Sequence, residues 1–268
     1  MMILNMMLIS GGLCLAATGA VRSGKASAEW LAGSEHYQPG KPFQTAFKLV
    51  VDDGWHTYWS NPGVSGMKLS VKWELPSGWS AGPVMEPVPI RFTTGGLAGF
   101  GYTGEVIFPV VLTPPAEGGG EPNFKAKLSW LTCNDSMCFP GNVELELATT
   151  PGLLKASKDL PAIEKTLATV PVPRNGLELQ FVDEGKSIAL TLTVSGNDFT
   201  PEDYEIFPAT AQTIDAQNEI QFVKNDGKWT AKVPKGEYAP DRVTQLGLVF
   251  KGKSNQTPII VNSSGSTP

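Results

Sequence analysis

Asn123-Phe124-Lys125-Ala126-Lys127-Leu128-Ser129-Trp130-Leu131-Thr132 alternates strictly: Phe124, Ala126, Leu128 and Trp130 on one side, Lys125, Lys127 and Ser129 on the other. A period of two marks a strand with one buried face and one wet face. Asn142 to Leu147 repeats the pattern, setting Val143, Leu145 and Leu147 against Glu144 and Glu146. Between them runs Cys133-Asn134-Asp135-Ser136-Met137-Cys138-Phe139-Pro140-Gly141, so the whole reads as a hairpin-like unit with two cysteines at its turn.

Outward from this unit the same short alternating segments recur at Phe43 to Val51, Trp55 to Trp59, Leu69 to Leu75 and Val106 to Leu112, punctuated by Pro-Gly and Gly-Gly turns. Six or seven such strands over residues 29–150 predict a two-sheet sandwich of immunoglobulin-like type. Residues 151–172 change character. Leu153, Leu154, Ala156, Leu160, Ile163 and Leu167 are interspersed with Lys155, Lys158, Asp159, Glu164 and Lys165, which predicts a short helical linker interrupted near Pro161. Alternation then returns at Leu177 to Val182, Ile188 to Val194, Tyr204 to Phe207, Glu219 to Val223, Trp229 to Val233, Val243 to Phe250 and Pro258 to Val261. The turn signal Asn225-Asp226-Gly227 supports a hairpin there. Residues 173–262 are therefore expected to form a second, smaller β-sandwich, and residues 263–268 a disordered tail. The expectation is an all-β chain of two immunoglobulin-like sandwiches.

Composition agrees. The chain has 268 residues, 41% hydrophobic and 18% charged, with 29 Gly and 22 Pro, which fits two turn-rich domains better than one. A net charge of -5 and no stripe of Lys or Arg argue against nucleic acid as a partner. Met1 to Ala20 is apolar and Ala26-Ser27-Ala28 is a small-x-small site, so residues 1–28 read as a cleaved export signal with cleavage after Ala28. No Lys or Arg precedes the apolar run, which leaves a retained anchor as the alternative. Leu13 before Cys14 disfavours lipid attachment. The mature chain keeps two cysteines in a compartment where disulfides persist, and the expected location is the periplasm.

Two thiols separated by four residues, held across a turn between paired strands, can come within disulfide range. One reading is a staple, but loop-closure entropy gives so short a loop only about 2 kcal/mol. Folds of this size bury enough surface to do without it. The other reading is exchange chemistry, since a tight loop makes a disulfide labile. A metal centre would have only His36 and His56 to add, without zinc-type spacing, and Met67, Met85 and Met137 read as core filler. No metal and no cofactor are expected. His56 reads as an ordinary surface or hydrogen-bonded histidine, on the strand face shared with Tyr58. Asp135, between the cysteines, disfavours a thiolate by like-charge repulsion.

The Cys133 to Pro140 run, preceded by Asp53-Gly54-Trp55-His56-Thr57-Tyr58-Trp59 and Gly99-Phe100-Gly101-Tyr102, resembles the N-terminal periplasmic domain of the disulfide reductase DsbD. It is still more similar to ScsB-type domains linked to copper tolerance and cytochrome c maturation, on Trp55 to Gly63 and Ser65-Gly66. The resemblance covers about residues 30–150. It implies an immunoglobulin-like domain that takes electrons from a membrane-embedded disulfide reductase and passes them to thioredoxin-like or other disulfide-bearing periplasmic proteins. Cys133 and Cys138 would be the exchanging pair, with Cys138 slightly favoured to attack the downstream target. Relatives carry an aromatic cap over the pair. The matching position is Phe92, before Gly95-Gly96, whose glycines would permit movement. His56, Tyr58 and Tyr102 would line the site. The acidic pair that relatives place beside the cap is not found, and neither a polytopic region nor a thioredoxin-like Cys-x-x-Cys domain is present. Other proteins would supply those parts. The rival reading is a non-catalytic β-sandwich adaptor with a structural disulfide.

Overall fold

The computed structural model describes residues 19–118, 120, 122–196 and 198–266. Its architecture is two curled, immunoglobulin-like β-sheet units separated by a short helix. In the first unit a five-stranded antiparallel sheet runs in the order Val21–Ser23, Ala26–Ala32, Phe43–Val51, Glu105–Thr113, Ser80–Ala81. Facing it are a three-stranded sheet, Cys138–Ala148, Asn123–Cys133 and Ser70–Glu74, and another, Thr57–Gly63, Leu97–Tyr102 and Ile90–Thr94. The alternation read in Asn123–Cys133 holds: Phe124, Ala126, Leu128 and Trp130 are buried with Trp30, Phe47 and Phe108 in one core. Trp30 and Phe47 lie 5.0 Å apart, and Trp79 meets Phe124 edge-on at 4.7 Å. On the wet face Lys125 and Lys127 pair with Glu146 and Glu74, exposed contacts that add little stability.

Phe43–Val51 does not alternate cleanly because both faces of its sheet are covered. Phe43, Phe47 and Leu49 point to the core, while Ala46, with Leu31 and Ile107, meets Ile163 and Leu167 of the helix Leu160–Leu167. Pro161, read as an interruption, sits instead in the helix's first turn, where a missing N–H breaks no hydrogen bond. The linker thus packs onto the first unit.

The first strands bear on the expected cleavage site. Ala26 and Ala28, read as a cleavage site, are fully buried and paired with Val51 and Leu49. Val21–Ser23 folds back on Ala26, Ser27 and Ala28, and the Ser23 hydroxyl accepts the Asn142 N–H beside the cysteine hairpin. A cut after Ala28 would strip the edge strand and sever its neighbour. Small residues satisfy a signal peptidase and a crowded sheet alike. Residues 1–18 lie outside the described residues.

The second unit is one eight-stranded sheet. Its order is Tyr204–Pro208, Gly247–Gly252, Ile259–Ser266, Leu177–Asp183, Ser187–Val194, Lys228–Pro234, Val223–Asn225, with Val172–Pro173 alongside Ile259–Ser266. The Asn225-to-Lys228 hairpin forms where its turn signal stood. Ser263 to Ser266, read as tail, extends the Ile259 strand parallel to Leu177–Asp183. Of Glu219 to Val223 only Val223 is in a strand: Ile220 and Phe222 are buried in the core without ladder pairing.

The two units share packing. Phe207, Ala216 and Val249 of the second join the core of the first. Phe207 meets Phe100 edge-on at 5.5 Å and Trp59 at 6.4 Å, and buried Asn61 donates to Pro208 O at 2.7 Å. An apolar, hydrogen-bonded seam of this kind fixes relative position more firmly than a polar linker does.

Candidate functional site

Cys133 ends one strand of the hairpin, Cys138 begins the next, and the two are ladder partners with Cα atoms 4.1 Å apart. Antiparallel pairs alternate between hydrogen-bonded and closer non-hydrogen-bonded positions. Cys133 spends both backbone groups on its other neighbour, donating to His56 O and accepting from His56 N, each at 3.0 Å. The Cys133–Cys138 position is therefore the close, unbonded kind, and a disulfide joins the two sulfurs. The turn has its own support. Asn134 N donates to Met137 O, and the Asn134 side-chain oxygen accepts from the N–H groups of Ser136 and Met137, each at 2.9 Å. Asn in a tight turn does this readily.

The pair is asymmetric. Cys133 is 0% exposed, sealed between strands, whereas Cys138 is exposed next to Met137 at 53% and Phe139 at 39%. Phe139 packs against Trp55 at 5.5 Å, and the Lys25 ammonium lies 5.3 Å from the Trp55 ring and 5.6 Å from the Phe139 ring. Beside the turn opens a cleft of about 680 Å³ lined by Asp52, Trp55, His56, Phe92, Asn134 and Asp135.

The backbone bridge puts the His56 side chain on the same side of the ladder as Cys133, since directly opposed residues share a face. The imidazole is only 7% exposed, and its Nε2 lies 3.2 Å from both the Tyr58 hydroxyl and Thr94 Oγ1. Phe92 packs against it with ring centroids 4.0 Å apart and the rings tilted by 34°, and also meets Tyr58 at 5.8 Å. Phe92 and Thr94 come from one strand, two residues apart, on a hairpin with Leu97–Tyr102 that turns through Gly95 and Gly96, both left-handed at φ 55° and 81°. Two consecutive positive φ values make the tight hairpin turn that glycine permits. Gly99 is needed for a second reason: a Cβ there would lie 2.4 Å from the Phe92 ring.

Of the residues singled out in sequence, Cys133, Cys138, His56, Tyr58 and Phe92 are thus gathered together. Tyr102 goes elsewhere. It pairs with Thr57 on the opposite face, packs on Phe108 and donates its hydroxyl to Pro87 O at 2.8 Å. His36 lies in a two-stranded ladder, 2.9 Å from the Thr150 hydroxyl. Thr94 and Asn134 were not anticipated. Thr94 was legible as the residue two beyond Phe92, and Asn134 as a turn former. Among the described residues no three His, Cys, Asp or Glu side chains converge as metal ligands.

Burial lowers the His56 pKa below its usual 6.5, partly opposed by Asp135. Such a histidine is neutral in the fold and binds its proton more readily when unfolded. Stability is then highest above pH 6.5 and falls as pH drops from there toward the lower folded pKa. Glu86 works in the opposite sense, since burial raises its carboxyl. The His56 contribution is read by difference: denaturant melts of wild type and His56→Asn between pH 7.5 and 5 should converge on acidification.

Residues 27–150 match the family described as thiol:disulfide interchange protein DsbD, N-terminal. No curated protein sequence matches the chain. Among solved structures, the N-terminal periplasmic domain of ScsB from Proteus mirabilis aligns with a TM-score of 0.69 at 20% identity, covering 92% of this chain and 97% of that one. That likeness extends the shared fold across both units. An endo-fucoidan hydrolase, MfFcnA9 of glycoside hydrolase family 107, aligns at TM-score 0.20 and 12% identity over 87% of this chain and 35% of its own. The N-terminal region therefore matches the DsbD N-terminal family in sequence, and the chain shares the fold of the ScsB domain.

Proposed function

We propose that this chain, whose N-terminal region matches the DsbD N-terminal family, relays reducing equivalents by thiol–disulfide exchange at Cys133 and Cys138. The donor is a membrane-embedded disulfide reductase. The acceptors are thioredoxin-like or other disulfide-bearing periplasmic proteins, in cytochrome c biogenesis or thiol maintenance under copper stress. The observation that carries the reading is the one-sided exposure of the pair, with Cys138 open and Cys133 sealed.

That asymmetry orders the steps. A donor thiolate attacks Cys138 Sγ, a bond forms between donor and Cys138, and the Cys133–Cys138 bond breaks with Cys133 leaving as a thiolate that takes up a proton. The donor's second thiol then attacks its own sulfur in the mixed disulfide and releases Cys138. The donor dithiol is oxidised to a disulfide and the pair is reduced to two thiols. Toward an acceptor the sequence reverses: Cys138 attacks the target disulfide and Cys133 resolves the intermediate. Phe92, at the position matching the cap of relatives, packs on His56 and Tyr58 and leaves Cys138 exposed to a partner.

The test is to titrate the oxidised protein with a thioredoxin-type dithiol under native conditions and follow free thiols. Exchange at the folded protein's pair is expected. A bond that yields only when the protein unfolds would leave a structural staple in an adaptor module.

A further inference from the structure

Residues 21–28 are built into the fold more deeply than their small side chains suggest. Val21 packs on the first unit's core, and Val21–Ser23 pairs with Ala26, Ser27 and Ala28 as the outermost strand of the five-stranded sheet. Ala26 and Ala28 are fully buried opposite Val51 and Leu49. The turn between the two strands passes through Gly24, left-handed at φ 60°, where a Cβ would lie 3.0 Å from Pro140 O. Glycine meets both demands, having no Cβ and free access to positive φ.

The same residues hold the flank of the cysteine hairpin. On the strand that begins at Cys138, Asn142 N donates to the Ser23 hydroxyl at 3.0 Å. The Lys25 ammonium lies over the rings of both Trp55 and Phe139, the residue after Cys138. Asp52 N donates to Lys25 O at 2.9 Å, and the Asp52 carboxylate pairs with Arg22. A mature chain starting at Glu29 would leave Leu49 and Val51 without partners on that side of the sheet. It would also take the acceptor from Asn142 N–H and the cation from the Trp55 and Phe139 rings. Gly19 and Ala20, by contrast, are exposed and lie in no strand.

A second site in the sequence spares all of these contacts. An export signal follows its apolar stretch with small residues at the first and third positions before the cut. Met6 to Leu15 leads directly into Ala16-Ala17-Thr18-Gly19-Ala20, which sets Thr18 and Ala20 at those positions, whereas Ala28 comes only after Arg22 and Lys25. We propose that export processing hydrolyses the Ala20–Val21 peptide bond. Water adds across that bond, the departing leader keeps the Ala20 carboxylate, and Val21 carries the new ammonium group. The catalyst is a membrane-bound signal peptidase, and the mature chain begins with the edge strand that braces the Cys138 side of the hairpin. The assignment stands on the fold and the leader sequence, independently of the exchange function.

The experiment produces the full chain, with its own residues 1–20 and no tag ahead of them, in a bacterium with two membranes. The predominant product in periplasm and membrane is read by N-terminal sequencing and intact mass. Val21 is the expected first residue. Glu29, Met1 or any other first residue overturns the assigned bond. Ala20→Leu puts a bulky side chain at the cut and leaves the fold alone, because Ala20 is exposed outside every strand. The Val21 product should then disappear, and its continued release would overturn the assignment as well. A chain made to start at Glu29 should either fail to fold or melt several degrees below one starting at Val21. Equal midpoints would make residues 21–28 dispensable and remove the structural ground for the proposal.

Discussion

Cys138→Ser should reduce exchange to background, while Cys133→Ser should accumulate a stable mixed disulfide through Cys138. The two variants are chemically equivalent as losses of one thiol, so any difference between them reports the asymmetry of the site. Cys133 is sealed between the Cys138 strand and His56, and Cys138 stands open beside Met137 and Phe139. An incoming sulfur can therefore approach in line only at Cys138. With Cys133 replaced, Cys138 still attacks a partner disulfide but no neighbour resolves the product. With Cys138 replaced, the remaining thiol is buried. Either variant loses a loop constraint of about 2 kcal/mol, small for a two-unit chain. The turn itself persists, because Asn134 holds it through three hydrogen bonds independent of sulfur. Non-reducing gels and intact mass after incubation with a disulfide-bearing target read the outcome. Equal trapping by both variants would remove the ordered mechanism.

The hairpin was legible because its information is local. Alternation across Asn123–Cys133 and Cys138–Ala148 fixes which side is buried, and a one-residue slip would turn Phe124, Leu128 and Trp130 to water. The cysteine pair followed from the same register. What lay beyond reach was set by contacts between distant segments. Nothing near His56 announces that Phe92 packs on it or that Thr94 reaches its Nε2, since that meeting depends on where another hairpin folds. Tyr102 was grouped with Tyr58 by motif, yet strand pairing puts it on the other face of the sheet. Ala26 and Ala28 are ambiguous for a different reason: small side chains carry too little pattern to separate a processing site from a crowded strand. The linker helix was visible in composition, while the partner it covers, Ala46 with Leu31 and Ile107, was hidden in three strands of one sheet that is apolar on both faces.

Phe207→Ala should destabilise both units together. Read in sequence, Phe207 is one more alternating strand residue of the second unit. In the structure it is fully buried in the first unit's core, against Phe100 and Trp59, with Arg91 and Lys251 above its ring. Truncating a buried Phe costs about 3–5 kcal/mol, from lost transfer energy and the cavity left behind. Here the cavity would open at the seam, where polar Asn61 and the Arg91 guanidinium lie beside it, so water would enter and the seam would weaken further. Wild type should melt in one cooperative transition, because the two cores share this side chain. In Phe207→Ala the midpoint should fall by several degrees and the transition should split, with the second unit's strands exchanging amide hydrogens ahead of the first unit's. Calorimetry with hydrogen exchange distinguishes this from an ordinary core cavity, which would lower one transition without dividing it. A single, merely lowered transition would mean that the units are joined elsewhere and that Phe207 only fills space.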